Sequence, residues 1–248
     1  MARGAKARLF AAVDPPAAVR EQLAGWAREV SGVLRGHGDL LPGAGAPRIR
    51  LLAPDTMHVT LCFLGSRPVD ELEALAAALG ECSAVAGELT VGAPLWLPPR
   101  NPRSLALEIG DRDGRLERLQ RTLVAAFARA VEWEPERRRF RAHLTVARIG
   151  RSRAGGRRRR ERAARGPRRG RPEAQGPAPD APADPAQAPL PPTPQLSFTP
   201  SAVVLYRSWL RPEGASYEAL ATRALATSSS SSSSASASSA GDAGAGAP

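Results

Sequence analysis

Histidine and cysteine are scarce in this chain, and long apolar runs are missing. Its 248 residues include three histidines, His37, His58 and His143. The two cysteines, Cys62 and Cys82, have neither metal-site nor redox-pair spacing. That excludes a disulfide framework and fits a reducing, cytoplasmic setting. No apolar run approaches the ~18 residues of a membrane span, so no membrane partner is expected. The first residues lack the charged, apolar and small-residue pattern of a signal peptide. Arginine far outnumbers lysine beside abundant Ala, Gly and Pro, the composition expected of a GC-rich, bacterial genome.

The formal charge is +11 and is unevenly spread. Segment 151–196 has eleven arginines against four acidic residues and carries +7, leaving +4 for the rest. Mild basicity suits an anionic partner such as RNA without requiring one. Residues 151–195 have almost no large apolar side chains. They are expected to form a disordered Arg-, Pro- and Ala-rich insertion, because too little surface can be buried to offset ordering entropy. The arginine block at 157–160 is a nucleic-acid signal by charge, with a solvated insertion of no function as its rival. A run of seven serines from Ser228 marks a disordered tail over 227–248.

Periodicity organises the remainder. Residues 8–13 predict a strand, and Asp14-Pro15-Pro16 a helix start with Asp14 as N-cap. Val19, Leu23, Trp26, Val30 and Leu34 then recur at helical spacing. Two further helices are predicted over 69–79 and 112–131. Strands are predicted over 48–52, 57–64, 88–97, 104–109, 142–149, 196–199, 202–209 and 216–225, with a loop over 36–47.

An eight-residue pattern occurs twice. Residues 58–65 read H-V-T-L-C-F-L-G and residues 143–150 read H-L-T-V-A-R-I-G, 85 residues later. On a strand, side chains alternate, so His58 shares a face with Thr60, and His143 with Thr145. Cys62 falls on the His58 face by strict alternation. Two such strands facing each other hold two imidazoles and two hydroxyls around one small anionic group, equipment for acid–base chemistry on a phosphoester. A lone histidine on an apolar strand is usually packed, but a core has no reason to reuse the octet with its threonine. His37, in R-G-H-G-D, reads as a solvated loop residue. Zinc is not expected, since a site takes three or four ligands and neither octet supplies an acidic or second histidine partner. Cys62 lacks any signature of an activated nucleophile.

The octets and their surroundings resemble the two-histidine (2H) phosphoesterase superfamily, and most closely its RNA 2′,3′-cyclic phosphodiesterase (bacterial 2′-5′ RNA ligase-like) family. The residues carrying the resemblance are R-L-F-A-A-V-D at 8–14, M-H-V-T-L-C-F-L-G at 57–65 and F-R-A-H-L-T-V-A-R-I at 140–149, with V-V-L-Y-R-S-W-L at 203–210 and Y-E-A-L at 217–220. Residues 151–196 and the serine tail depart from it. The resemblance implies an α+β, bilobal, LigT-like fold over 1–226, with two mostly antiparallel sheets flanking a central groove and helices packed outside.

It further implies hydrolysis of 2′,3′-cyclic phosphate ends of RNA or oligonucleotides to 2′-phosphomonoesters. Run backwards, the same site would give a 2′-5′ linkage. His58 is expected as general acid and His143 as general base, with Thr60 and Thr145 donating to the phosphate oxygens. No cofactor is expected, and a monomer suffices. Arg148 is a candidate phosphate clamp, but alternation puts it on the face away from His143 unless the strand bulges. Phe10 and Phe63 are candidates for base stacking, with core packing as the competing use. Two alternatives stay open: another small cyclic phosphate as substrate, or a non-catalytic RNA- or nucleotide-binding module.

Overall fold

In the computed structural model, which describes residues 5–36, 48–83, 85–99, 101–150, 189–211 and 214–227, the first apolar run becomes β1 (Lys6–Val13). Every residue from Leu9 to Val13 is buried, so both faces of that strand are covered. It pairs antiparallel with β3 (Val59–Pro68) on one edge and β9 (Ala202–Arg211) on the other. Strand β9 pairs in turn with β10 (Gly214–Ala224), completing a four-stranded first lobe.

The second lobe is built around β7 (His143–Gly150). It pairs antiparallel with β2 (Arg48–Leu51) and β6 (Ser104–Gly110). Beyond β6 lie β5 (Leu89–Leu97) and β8 (Ser197–Phe198). The lobes meet at one rung, Val59 opposite Leu144, between β3 and β7. The two expected antiparallel sheets are therefore present, and that rung makes them continuous. A short parallel pair, β4 (Val85–Ala86) with β11 (Ala226–Thr227), was not foreseen.

Helices cross between the lobes. Helix α1 (Ala17–Gly36) follows β1 of the first lobe but packs against β2 and β7 of the second. Helix α3 (Arg115–Ala130) follows β6 of the second lobe and packs against β3 of the first. Helix α2 (Leu72–Glu81) lies against α3 and β10. Leu23, Trp26, Val30 and Leu34 of α1 and Leu116, Leu119, Leu123 and Phe127 of α3 are buried, as their spacing requires. The buried residues of both lobes form one contiguous core.

Two expectations need correction. Asp14 does not cap α1, whose first turn closes on the Pro16 carbonyl; the Asp14 carboxylate instead accepts the Tyr206 hydroxyl. Residues 189–195, expected to be disordered, run as an irregular segment against the body. Leu190 packs on the core, and the Trp26 indole N–H donates to the Pro191 carbonyl at 3.2 Å. Proline-rich backbone has little entropy to lose, so two such anchors can hold it. The rest of the expected insertion, 151–188, the loop at 37–47 and the tail from 228 lie outside the described residues. Among the described residues no helix is long and apolar enough to cross a membrane.

Candidate active site

His58 immediately precedes β3, and His143 opens β7. The Nδ1–H of His58 donates to the Thr56 carbonyl at 2.9 Å, and the Nδ1–H of His143 to the Arg141 carbonyl at 2.8 Å. A carbonyl only accepts, so the bond puts the proton of the neutral ring on Nδ1 and leaves Nε2 with its lone pair. Both partners lie two residues upstream, so the repeat extends from the octets to their backbone contacts.

The inter-lobe rung sets the mutual geometry. Val59 and Leu144 are completely buried on one face. Their neighbours therefore point to the other. Antiparallel pairing at that rung puts His58 across from Thr145, and Thr60 across from His143. All four are half-buried.

A bulge follows each threonine. Against β1, Thr60 is opposite Ala12 and Cys62 opposite Ala11, so Leu61 is the extra residue. Against β6, Thr145 is opposite Ala106 and Ala147 opposite Leu105, so Val146 is the extra residue. Beyond a bulge the two faces of a strand exchange. Cys62 and Ala147 turn into the core, 7% and 2% exposed. Phe63 and Arg148 turn outward and line the same cavity as His58 and Thr60. Strict alternation had put Cys62 beside His58 and Arg148 away from His143; the bulges reverse both. Burial pushes the Cys62 thiol up to about 12, which makes it a poor nucleophile.

The cavity has a volume of about 520 Å³. His143 and Thr145 do not line it and stand beside it on β7. Phe10, 4% exposed, sits in an aromatic cluster. Its ring stacks on His58 at 4.7 Å between centroids and on Tyr206 at 5.3 Å, while Tyr217 meets Phe10 and His58 edge-on at 5.2 and 5.1 Å. So little open surface suits Phe10 to supporting the imidazole rather than to stacking on a base. Phe63 is partly exposed, with the Arg8 guanidinium 4.5 Å above its ring.

Burial is the largest influence on His58 and lowers its pKa below the ordinary 6.5. The bond to Thr56 and the Asp14 carboxylate oppose that shift, whereas Arg148 and His143 reinforce it. Each histidine also has a carboxylate near its cross-strand position. Asp14 follows the Val13–Val59 pair and is held by Tyr206. Glu108 lies opposite His143 and is paired with Arg141 at 3.1 Å.

Several cavity residues were not named from the sequence: Arg8, Arg50, Arg211 and Tyr217. A signal for Tyr217 existed. The chain has two tyrosines, Tyr206 and Tyr217, and both fall in the closing hairpin. Arg50 owes its place to the β2–β7 pairing, which nothing in its neighbourhood announces.

Solved structures share this fold. TT0787 of Thermus thermophilus is 22% identical, with a TM-score of 0.60 over 90% of this chain and 100% of that one. A protein described as a phosphoesterase is 23% identical, with a TM-score of 0.58 over 90% and 99%. E. coli LigT complexed with 3′-AMP is 25% identical, with a TM-score of 0.55 over 89% and 99%. LigT has also been crystallised with phosphate, ATP and NADP+. No family model matches the sequence, and no curated protein matches it.

Proposed function

On the premise that the chain has the LigT-like 2H phosphoesterase fold of these structures, we propose that it opens 2′,3′-cyclic phosphate ends of RNA to 2′-phosphomonoesters. The same site would join such an end to a 5′-hydroxyl in reverse. The observation that carries this proposal is the matched pair of imidazoles. Each is fixed through Nδ1 to a backbone carbonyl two residues upstream, and each faces the other motif's threonine across one rung.

The phosphate sits between the two His-x-Thr units. In-line displacement puts attacking water and departing ribose oxygen on opposite sides of phosphorus, so one histidine serves each side. One histidine takes the proton from water and the other gives one to the leaving 3′ oxygen, with His58 assigned as the acid and His143 as the base. The ligation direction exchanges the two roles. Thr60 and Thr145 donate to the non-bridging oxygens as charge builds, and Arg148 supplies a guanidinium beside them.

The test is hydrolysis of a 2′,3′-cyclic mononucleotide and of a cyclic-ended RNA oligomer in EDTA, with the product assigned by ³¹P NMR. Turnover to a 2′-phosphate is expected, reduced about 10²–10⁴-fold in both His58→Ala and His143→Ala. No turnover by folded wild type on either substrate would refute the proposal. A 3′-thio leaving group, which departs without protonation, separates the roles. It should restore activity to His58→Ala and not to His143→Ala.

A further inference from the structure

The cavity carries more positive charge than one cyclic phosphate needs. Arg8, Arg50, Arg148 and Arg211 line it, and no Asp or Glu is among its described lining residues. None of the four forms an ion pair with a described residue. Arg50 and Arg148 are directly opposite each other on β2 and β7. Like charges at such positions repel and destabilise the pair, so their juxtaposition suits a site completed by an anion.

Arg50 also reaches across the groove. A Cβ added to Gly214 would lie 3.5 Å from Arg50 Nη1, so the guanidinium is at the start of β10. Gly214 is itself the strand partner of Arg211. Arg50 thus leaves the second lobe and ends beside Arg211 on the first. A cyclic phosphodiester carries one negative charge, and the two His-x-Thr units with Arg148 already answer it. Of the other three, Arg8 lies over the Phe63 ring, which leaves Arg50 and Arg211, one strand spacing, about 4.8 Å, or more from Arg148.

We propose that Arg50 and Arg211 form a second phosphate subsite at the groove mouth, taking the phosphate on the 5′ side of the reacting nucleotide. In an RNA chain that group is the preceding internucleotide phosphate; in a mononucleotide it is a 5′-phosphate. The subsite makes the protein prefer doubly phosphorylated ends over a bare cyclic nucleoside. It rests on the proposed function, which assigns the reacting phosphate to the histidine pair.

The experiment compares full-length wild type with Arg50→Ala and Arg211→Ala. The substrates are a 2′,3′-cyclic mononucleotide with a 5′-hydroxyl, the same nucleotide with a 5′-phosphate, and a dinucleotide with a cyclic end. The readout is the ratio of kcat/KM for each substrate with two phosphates to that for the 5′-hydroxyl compound. A charged hydrogen bond to phosphate predicts that either variant lowers this ratio about ten- to a hundredfold, through KM. A fall with the dinucleotide alone assigns the subsite to the RNA backbone. A fall with both assigns it to any phosphate at that position. Ratios within twofold of wild type in both variants would overturn the inference. Calorimetry keeps the outcome separate from catalysis. If wild type turns over none of the substrates, adenosine 3′,5′-bisphosphate should still bind more tightly than 3′-AMP. Arg50→Ala should erase that preference, and a preference left intact would overturn the subsite.

Discussion

His58 combines a ring packed on Phe10 with a bond from Nδ1 to Thr56. Its pKa is lowered mainly by burial, so the folded protein declines a proton that the unfolded chain accepts at 6.5. Stability linked to this group is complete above that value and falls as pH drops from 6.5 toward the folded pKa, by at most about 1.4 kcal/mol per pH unit. Urea midpoints at pH 7.5 and 5.5 should therefore converge in His58→Gln relative to wild type. An undiminished difference would put the acid sensitivity elsewhere. Activity follows the same sign. As the acid, His58 sets the alkaline limb of kcat/KM, which reports the free protein and should lie below the ordinary imidazole pKa. At the alkaline end, Cys62 is pushed up to about 12. Its contribution weakens as pH rises from 9 toward that value, because only the unfolded thiol ionises readily. At pH 8 neither buried thiol should react with a thiol reagent until the protein is unfolded.

At the scale of the element, the octet is a strand with a bulge at a fixed place. Its fourth residue, Leu61 or Val146, is the extra one; the fifth, Cys62 or Ala147, is small and turns inward; and the sixth, Phe63 or Arg148, turns out to the cavity. Ala147→Leu should overpack this inward position, at about 1–3 kcal/mol. By displacing Arg148 it should also raise KM more than it lowers kcat, as steady-state kinetics beside a urea curve would test. Unchanged KM would detach Arg148 from the substrate. The octets also show what could be read in advance. Helical spacing and the repeated His-x-Thr face were legible because they are properties of single segments. A bulge is a relation between two strands, here β3 with β1 and β7 with β6, so the facing of Cys62, Phe63 and Arg148 was not. The same reason hid Arg50, whose neighbour Arg148 is set by β2–β7 pairing, and the anchoring of residues 189–195, where Trp26 of α1 holds the Pro191 carbonyl.

The whole molecule is two lobes tied by three features: the Val59–Leu144 rung, the crossing of α1 and α3 to the opposite lobes, and a core shared between them. The rung alone could act as a hinge, with each lobe melting separately. The crossed helices argue against that. Removing either lobe strips the other of a helix that covers its sheet, exposing Leu23, Trp26 and Val30 or Leu119, Leu123 and Phe127 to water. Heating should then give one transition, with calorimetric and van't Hoff enthalpies equal. Two resolved transitions would mean that the lobes are independent. Leu144→Ala probes the same tie at its centre. Leu144, the middle residue of the second His-x-Thr unit, is fully buried, so the substitution should destabilise the protein by about 2–5 kcal/mol. It should also loosen the facing of His58 and Thr145 while leaving the arginine-lined mouth in place. Below its melting temperature, the variant should lose kcat and hold KM within a few-fold, because orientation at the reacting phosphate acts on the transition state more than on ground-state binding. A loss confined to KM would place the strain at the mouth rather than at the rung.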